Sequence, residues 1–99
     1  QRVTGTRGAV EIAVDLEASD GATVIEVHAD DEVGLLYRIA TTFAELGLDV
    51  SVTKVATLGE RVIDTFYVRD RDLKKITDER ALARIRSTLV ARLAESAVT

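Results

Sequence analysis

The chain has 99 residues, 46% of them hydrophobic and 30% charged, with a formal net charge of −4. That suits one small domain with a modest core, and an acidic surface repels phosphate backbones, which weighs against nucleic acid as a partner. There is no cysteine, which excludes disulfides, zinc-thiolate sites and thiol catalysis, and no apolar run approaches the ~20 residues of a membrane span, so a cytoplasmic setting is expected.

Residues 1–8 are polar and glycine-bearing, and are expected to be a linker stub or disordered tail ahead of a single domain over 9–94, with 95–99 a frayed end. The chain holds no methionine, at its start or elsewhere, and reads as a piece of a longer protein. Val10, Ile12, Val14 and Leu16 alternate with Glu11, Ala13, Asp15 and Glu17, the period of a half-buried strand. After the turn chemistry of ASDGA, residues 23–29 form a second strand. Ile25, Val27 and Ala29 share one face, and Val24, Glu26 and His28 the other. Over 35–46 the period lengthens. Leu35, Leu36, Ile39, Ala40, Phe43 and Leu46 make a helical stripe, and Gly47 is its stop.

Residues 50–58 are strand-like, Gly59-Glu60 fits a two-residue hairpin turn that wants glycine first, and 61–69 returns as a strand. Val62, Phe66 and Val68 lie on one face of that return strand, with Ile63, Thr65 and Tyr67 on the other. The outgoing strand breaks phase, since Lys54 falls in line with Val50 and Val52 while Val55 points away, which predicts a bulge near 51–53. Residues 69–76 are a charged surface loop, and Thr77 or Asp78 caps a last helix with the stripe Leu82, Ile85, Leu89 and Leu93.

The order strand–strand–helix–strand–strand–helix, with a right-handed crossover in its middle, predicts an α+β, ferredoxin-like fold. Four antiparallel strands carry two helices on one face, and the N-terminal strand fills the edge that a C-terminal strand usually takes.

Between the second strand and first helix stand three consecutive carboxylates, Asp30, Asp31 and Glu32, then Val33 and Gly34. One reading is a helix cap, in which Asp31 or Glu32 contributes ~0.5–2 kcal/mol. The other is a cradle. The amides of Gly34, Leu35 and Leu36 receive a ligand carboxylate and Asp31 accepts from an ammonium group, which together describe the head of a free amino acid. The pattern alone leaves both open.

Elsewhere the chemistry is thin. His28 is the only histidine, so no histidine metal site is expected and a surface or interface place suits it. Ile63 and Tyr67 put apolar surface on the sheet face away from the helices, for a neighbour to cover or for partial exposure. Asp64 falls in line with Val62 and Phe66 and is given a structural role, paired with Arg61 or Lys54. Arg84, Arg86 and Arg92 decorate the wet face of the last helix. No serine–histidine–acid set and no phosphate loop occurs, so no catalytic residue and no cofactor is expected.

The segments VIEVHADDEVGLLYRIATTFAELGLDV and SVTKVATLGERVIDTFYVRD resemble ACT domains, regulatory modules that bind amino acids in metabolic enzymes. DEVGLL stands against the family's D-x-P-G-L-L, and FAELGLDV follows the first helix as it does there. ATLGERVIDTFYV is similar to the branch at the C-terminus of bacterial uridylyltransferases that modify the PII nitrogen-signalling protein. The resemblance spans residues 23–70. It implies a non-catalytic sensor with glutamine as ligand, acting as a homodimer or packed on other domains of a nucleotidyltransferase parent. It further implies a ligand site of Asp31, Glu32, Val33, Gly34, Leu35 and Leu36, faced across a dimer interface by Asp49 and Ser51. Val33 replaces the family's proline, which removes a fixed backbone angle. The chain has no asparagine, and its only glutamine is Gln1, so a ligand's side-chain amide falls to backbone groups or carboxylates. The alternative is an ACT-type dimerisation or docking module without a ligand. An RNA-binding sheet of this topology lacks its aromatics and basic charge, and a small hydrolase lacks an arginine in the loop over 30–34.

Overall fold

A computed structural model describes residues 9–95. The expected tail over 1–8 lies outside the described residues, as does the expected frayed end apart from the backbone of Glu95. Six elements follow in order: β1 (Glu11–Asp15), β2 (Thr23–Asp30), α1 (Leu35–Glu45), β3 (Asp49–Leu58), β4 (Arg61–Arg69) and α2 (Glu79–Glu95). The strands form one antiparallel sheet in the order β1-β2-β4-β3. β1 does occupy the outer edge beside β2, and β4 fills the gap that the β2–α1–β3 crossover leaves. The ferredoxin-like expectation holds.

Alternation in the central strands divides the sheet into a covered and an open face. Ile25, Val27 and Ala29 of β2 join Val62, Phe66 and Val68 of β4 beneath Leu35, Ile39 and Phe43 of α1 and Leu82, Ile85, Leu89 and Leu93 of α2. Phe43 meets Phe66 edge to face, with ring centroids 5.2 Å apart. Val24, Glu26 and His28 share the open face with Ile63, Thr65 and Tyr67, as the register shows.

The predicted bulge exists, at Thr53. The register shifts between Val52 and Lys54, and the Thr53 hydroxyl donates to the Thr65 carbonyl at 3.2 Å. The extra residue restores phase. Val50, Val52 and Val55 come to stand opposite Val68, Phe66 and Asp64 on the covered side, and Lys54 stands opposite Thr65 on the open side.

At the end of the sheet away from the β2–α1 loop, polar contacts close the fold. The buried Thr23 hydroxyl donates to the Ile76 carbonyl at 2.7 Å and accepts from the Ile76 amide at 2.8 Å. Lys75 Nζ donates to the carbonyls of Leu16 and Ser19. Asp78 caps α2, accepting the Ala81 amide at 2.9 Å, which resolves the choice between Thr77 and Asp78. No helix among the described residues is long and apolar enough to cross a membrane.

Candidate functional site

β2 delivers Asp30 to the rim of the sheet. Arg61, its register partner, donates Nη1 to Asp30 Oδ1 at 3.0 Å. The next amide, Asp31, donates to the Glu60 carbonyl at 2.7 Å, so the loop is pinned to the β3–β4 turn. The chain then turns into α1 through Gly34, whose φ of 80° lies in the left-handed region that glycine enters without penalty.

The capping reading of the carboxylates fails, because no side chain caps α1. Glu32 instead accepts from Arg38 Nη2 at 3.2 Å. The Leu35 amide donates to the Glu32 carbonyl at 3.1 Å and so belongs to the fold rather than to a ligand. The amides of Gly34, Leu36 and Tyr37 have no hydrogen-bond partner among the described residues. A helix start with open N–H groups attracts anions. Asp31 is exposed beside them, and its carboxylate accepts no hydrogen bond among the described residues.

The expected site residues divide into two groups. Asp31, Glu32, Val33, Gly34, Leu35 and Leu36 form one continuous corner, although the Leu35 side chain is buried in the core while Val33 is 98% exposed. Asp49 and Ser51 are not with them. They begin β3 at the opposite end, where Asp49 stands beside Arg69 and accepts from its Nε at 3.1 Å and Nη2 at 2.7 Å. From Arg69 back to Arg61, beside Asp30, is eight residues of strand, about 25 Å. Within one chain these two residues and the loop cannot meet.

Asp64 lacks the pairing expected for it. It does lie in phase with Val62 and Phe66, at 3% exposure. Neither expected partner reaches it, since Arg61 is engaged with Asp30 and the bulge turns Lys54 to the other face. Its Oδ1 and Arg38 Nε are the two buried side-chain polar atoms without a partner among the described residues. Burial first, and the neighbouring charge of Asp31 second, raise the Asp64 carboxyl above the usual aspartate value. The sequence carried half the signal, an acid in an apolar phase. The missing half was register.

His28 lies on the open face with Nε2 at 3.1 Å from Glu26 Oε1 and Glu11 directly opposite. No group of three or more metal-ligating side chains occurs among the described residues. Three cavities are distributed away from the loop. One of about 380 Å³ lies between the end of α1 and the start of α2, lined by Leu46, Leu48, Ile76 and Ile85. One of about 510 Å³ runs along β1, and one of about 370 Å³ crosses the open face over Val24, Ile63 and Tyr67. None of these three is lined by residues 31–36.

The family described as ACR9-like, ACT-like domain matches residues 11–97. Among curated proteins, the bifunctional uridylyltransferase/uridylyl-removing enzyme of Gluconobacter oxydans is 43% identical over 88 residues, 89% of this chain and 9% of the relative. The protein of that name from Azospirillum brasilense is 43% identical over 84 residues, 85% of this chain and 9% of its own length. The one from Ectopseudomonas mendocina is 39% identical over 87 residues, 88% of this chain and 10% of its own. The chain thus spans about a tenth of the relatives it matches. No solved structure gives a significant match.

Proposed function

Because the chain belongs to the ACT-like domain family, we propose that it is the regulatory amino-acid sensor of a uridylyltransferase/uridylyl-removing enzyme, with glutamine as its ligand. The observation that carries this reading is the pairing of open amides at Gly34, Leu36 and Tyr37 with the unengaged Asp31 carboxylate, at the motif position of the family's loop. The amides take the ligand carboxylate and Asp31 its ammonium. The domain is the unit over 9–94, joined through 1–8 to a catalytic parent in the cytoplasm, and it performs no chemistry itself. Binding acts on the parent through unequal affinity for two arrangements of its domains.

A second copy would supply an outer wall to a ligand held at the loop. β3 is an edge strand that runs from Asp49 toward the loop end of the sheet. Two such edges paired antiparallel bring Asp49 and Ser51 of one copy beside residues 31–36 of the other. Val52 and Val55, 49% and 56% exposed on that edge, supply apolar area for the seam.

Calorimetric titration with the twenty amino acids tests the assignment. Glutamine is expected to give saturable heat that Asp31→Ala abolishes. Heat with a different amino acid would reassign the ligand, and silence with all twenty would remove the sensor reading. That last result is what the second reading, a dimerisation or docking module without a ligand, expects. The exposure of Val33, Val52 and Val55 is the observation in its favour, and light scattering would then report a dimer indifferent to glutamine.

A further inference from the structure

Three hydrogen bonds meet at the corner where β4 begins. The Asp31 amide donates to the Glu60 carbonyl at 2.7 Å, Arg61 Nη1 donates to Asp30 Oδ1 at 3.0 Å, and Arg61 Nη2 donates to the Ala9 carbonyl at 2.8 Å. The dipeptide Glu60-Arg61 thus holds both residues at the entry to the loop, one through its main chain and one through its side chain. It also reaches the residue that leads into β1. In the strand order β1-β2-β4 the guanidinium passes the end of the middle strand to get there, so one side chain joins three segments far apart in sequence. The Arg61 and Asp30 side chains are 34% and 24% exposed, sheltered enough that salt screens the pair only in part.

We propose that Arg61 is a positioning residue that holds the loop and the Ala9 peptide as one unit, so that an amino acid at the loop is felt at the lead-in to β1. The inference rests on the amino-acid reading above and adds a route out of the site, which that reading lacks. Ala9 lies beyond the β1–β2 ladder, which begins with the pair Glu11 and His28. Its carbonyl accepts from Arg61 and not from a neighbouring strand. Arginine suits the place because Nη1 and Nη2 of one planar group reach two acceptors at once, which the single ammonium of lysine does not do in fixed geometry.

Filling the loop changes the balance of that fork. Of the three consecutive carboxylates, Asp30 is paired with Arg61 and Glu32 with Arg38, which leaves Asp31 without a cation among the described residues. A ligand ammonium at Asp31 brings positive charge next to Asp30 and competes with Arg61 for it. The guanidinium then leans on its second acceptor, the Ala9 carbonyl. Without Arg61, Asp30 loses this partner and the loop entry keeps only the Glu60 carbonyl of these two anchors.

The test follows amide resonances of the 99-residue chain during an L-glutamine titration, with affinity measured by calorimetry, on the unaltered protein, Arg61→Gln and Arg61→Lys. The Val10 amide shares a peptide plane with the Ala9 carbonyl and reports on its hydrogen bond. In the unaltered protein it is expected to shift with the same midpoint as Gly34, Leu36 and Tyr37. Arg61→Gln is expected to lose the Val10 response and about fivefold in glutamine affinity, the low end for coupled sites. Arg61→Lys keeps a charge for Asp30, and should recover most of the affinity without the Val10 response. An arginine that only stabilised the fold would not separate those two readouts. Loop amides that shift while Val10 stays still, a full Val10 response in Arg61→Gln, or equal glutamine affinity in that variant overturns this inference and leaves the site reading standing. Silence with glutamine overturns both. The Val10 comparison in the unaltered protein needs no variant, and a cooperative melt of each variant separates lost binding from lost folding.

Discussion

Gly34→Ala asks how firmly the backbone presents the loop amides. A Cβ at this position meets no atom within 4 Å, so steric overlap contributes nothing. What remains is the backbone, held at φ 80°. An L residue in the left-handed region costs about 1–2 kcal/mol, offset by about 0.4–1 kcal/mol from the stiffer unfolded chain. The net loss is about 1 kcal/mol, or roughly 4–8 °C in melting temperature for a domain of this size. Gly34→Asn should lose less, because asparagine tolerates that conformation. Thermal and urea unfolding followed by circular dichroism measures both. A neutral or stabilising alanine would mean that the loop relaxes into an ordinary right-handed turn, and that the orientation of the Gly34, Leu36 and Tyr37 amides is not imposed by this residue.

Gly47→Ala should cost more than Gly34→Ala. At φ 76° the added Cβ also stands 2.5 Å from Arg71 Nε, displacing a guanidinium from the negative end of α1. In an Arg71→Ala background the excess should vanish, and an unchanged excess in urea titrations would refute the contact. Leu73 is the one non-glycine residue with positive φ among those described, at 62°, and it is exposed. Leu73→Gly is therefore expected to raise stability by about 0.5–1 kcal/mol, and a lowered melting temperature would contradict the strain. Asp64 should make stability pH-dependent in the opposite sense to a salt-bridged acid. Its folded value is raised above the unfolded 3.8, so the folded chain binds more protons between the two. Its contribution is largest at low pH and is lost as pH rises through the raised value. Asp64→Asn should flatten that part of the stability curve, and an unaltered curve would mean that the carboxyl titrates normally.

Period and topology carried most of the fold. The alternation of Val10 through Leu16 and the stripe from Leu35 to Leu46 each followed from residues close in sequence, and the chain supplies them locally. The Lys54–Val55 phase break was enough to find a bulge, though only the register shows that Thr53 is the extra residue. The loop was legible as a cluster of charges next to a glycine. Its backbone was not, because whether the Leu35 amide is spent on the Glu32 carbonyl depends on torsions that no residue type specifies. The separation of Asp49 from the loop is implicit in a nine-residue return strand, yet whether a second chain brings an Asp49 to the loop is a property of assembly, which one sequence does not encode locally. Asp64 shows the same limit, since its phase was visible and its lack of a partner depended on where Arg61 and Lys54 were turned.

The central claim, that open main-chain amides at the start of α1 hold an amino acid, is tested most directly by following backbone amide resonances during a glutamine titration. Gly34, Leu36 and Tyr37 are expected to shift saturably together, with the Leu35 amide, already bonded to Glu32, and the distant Ile76 amide, bonded to Thr23, moving little. Shifts confined to the open sheet face or to the α1–α2 cavity, or no shifts at all, would contradict it.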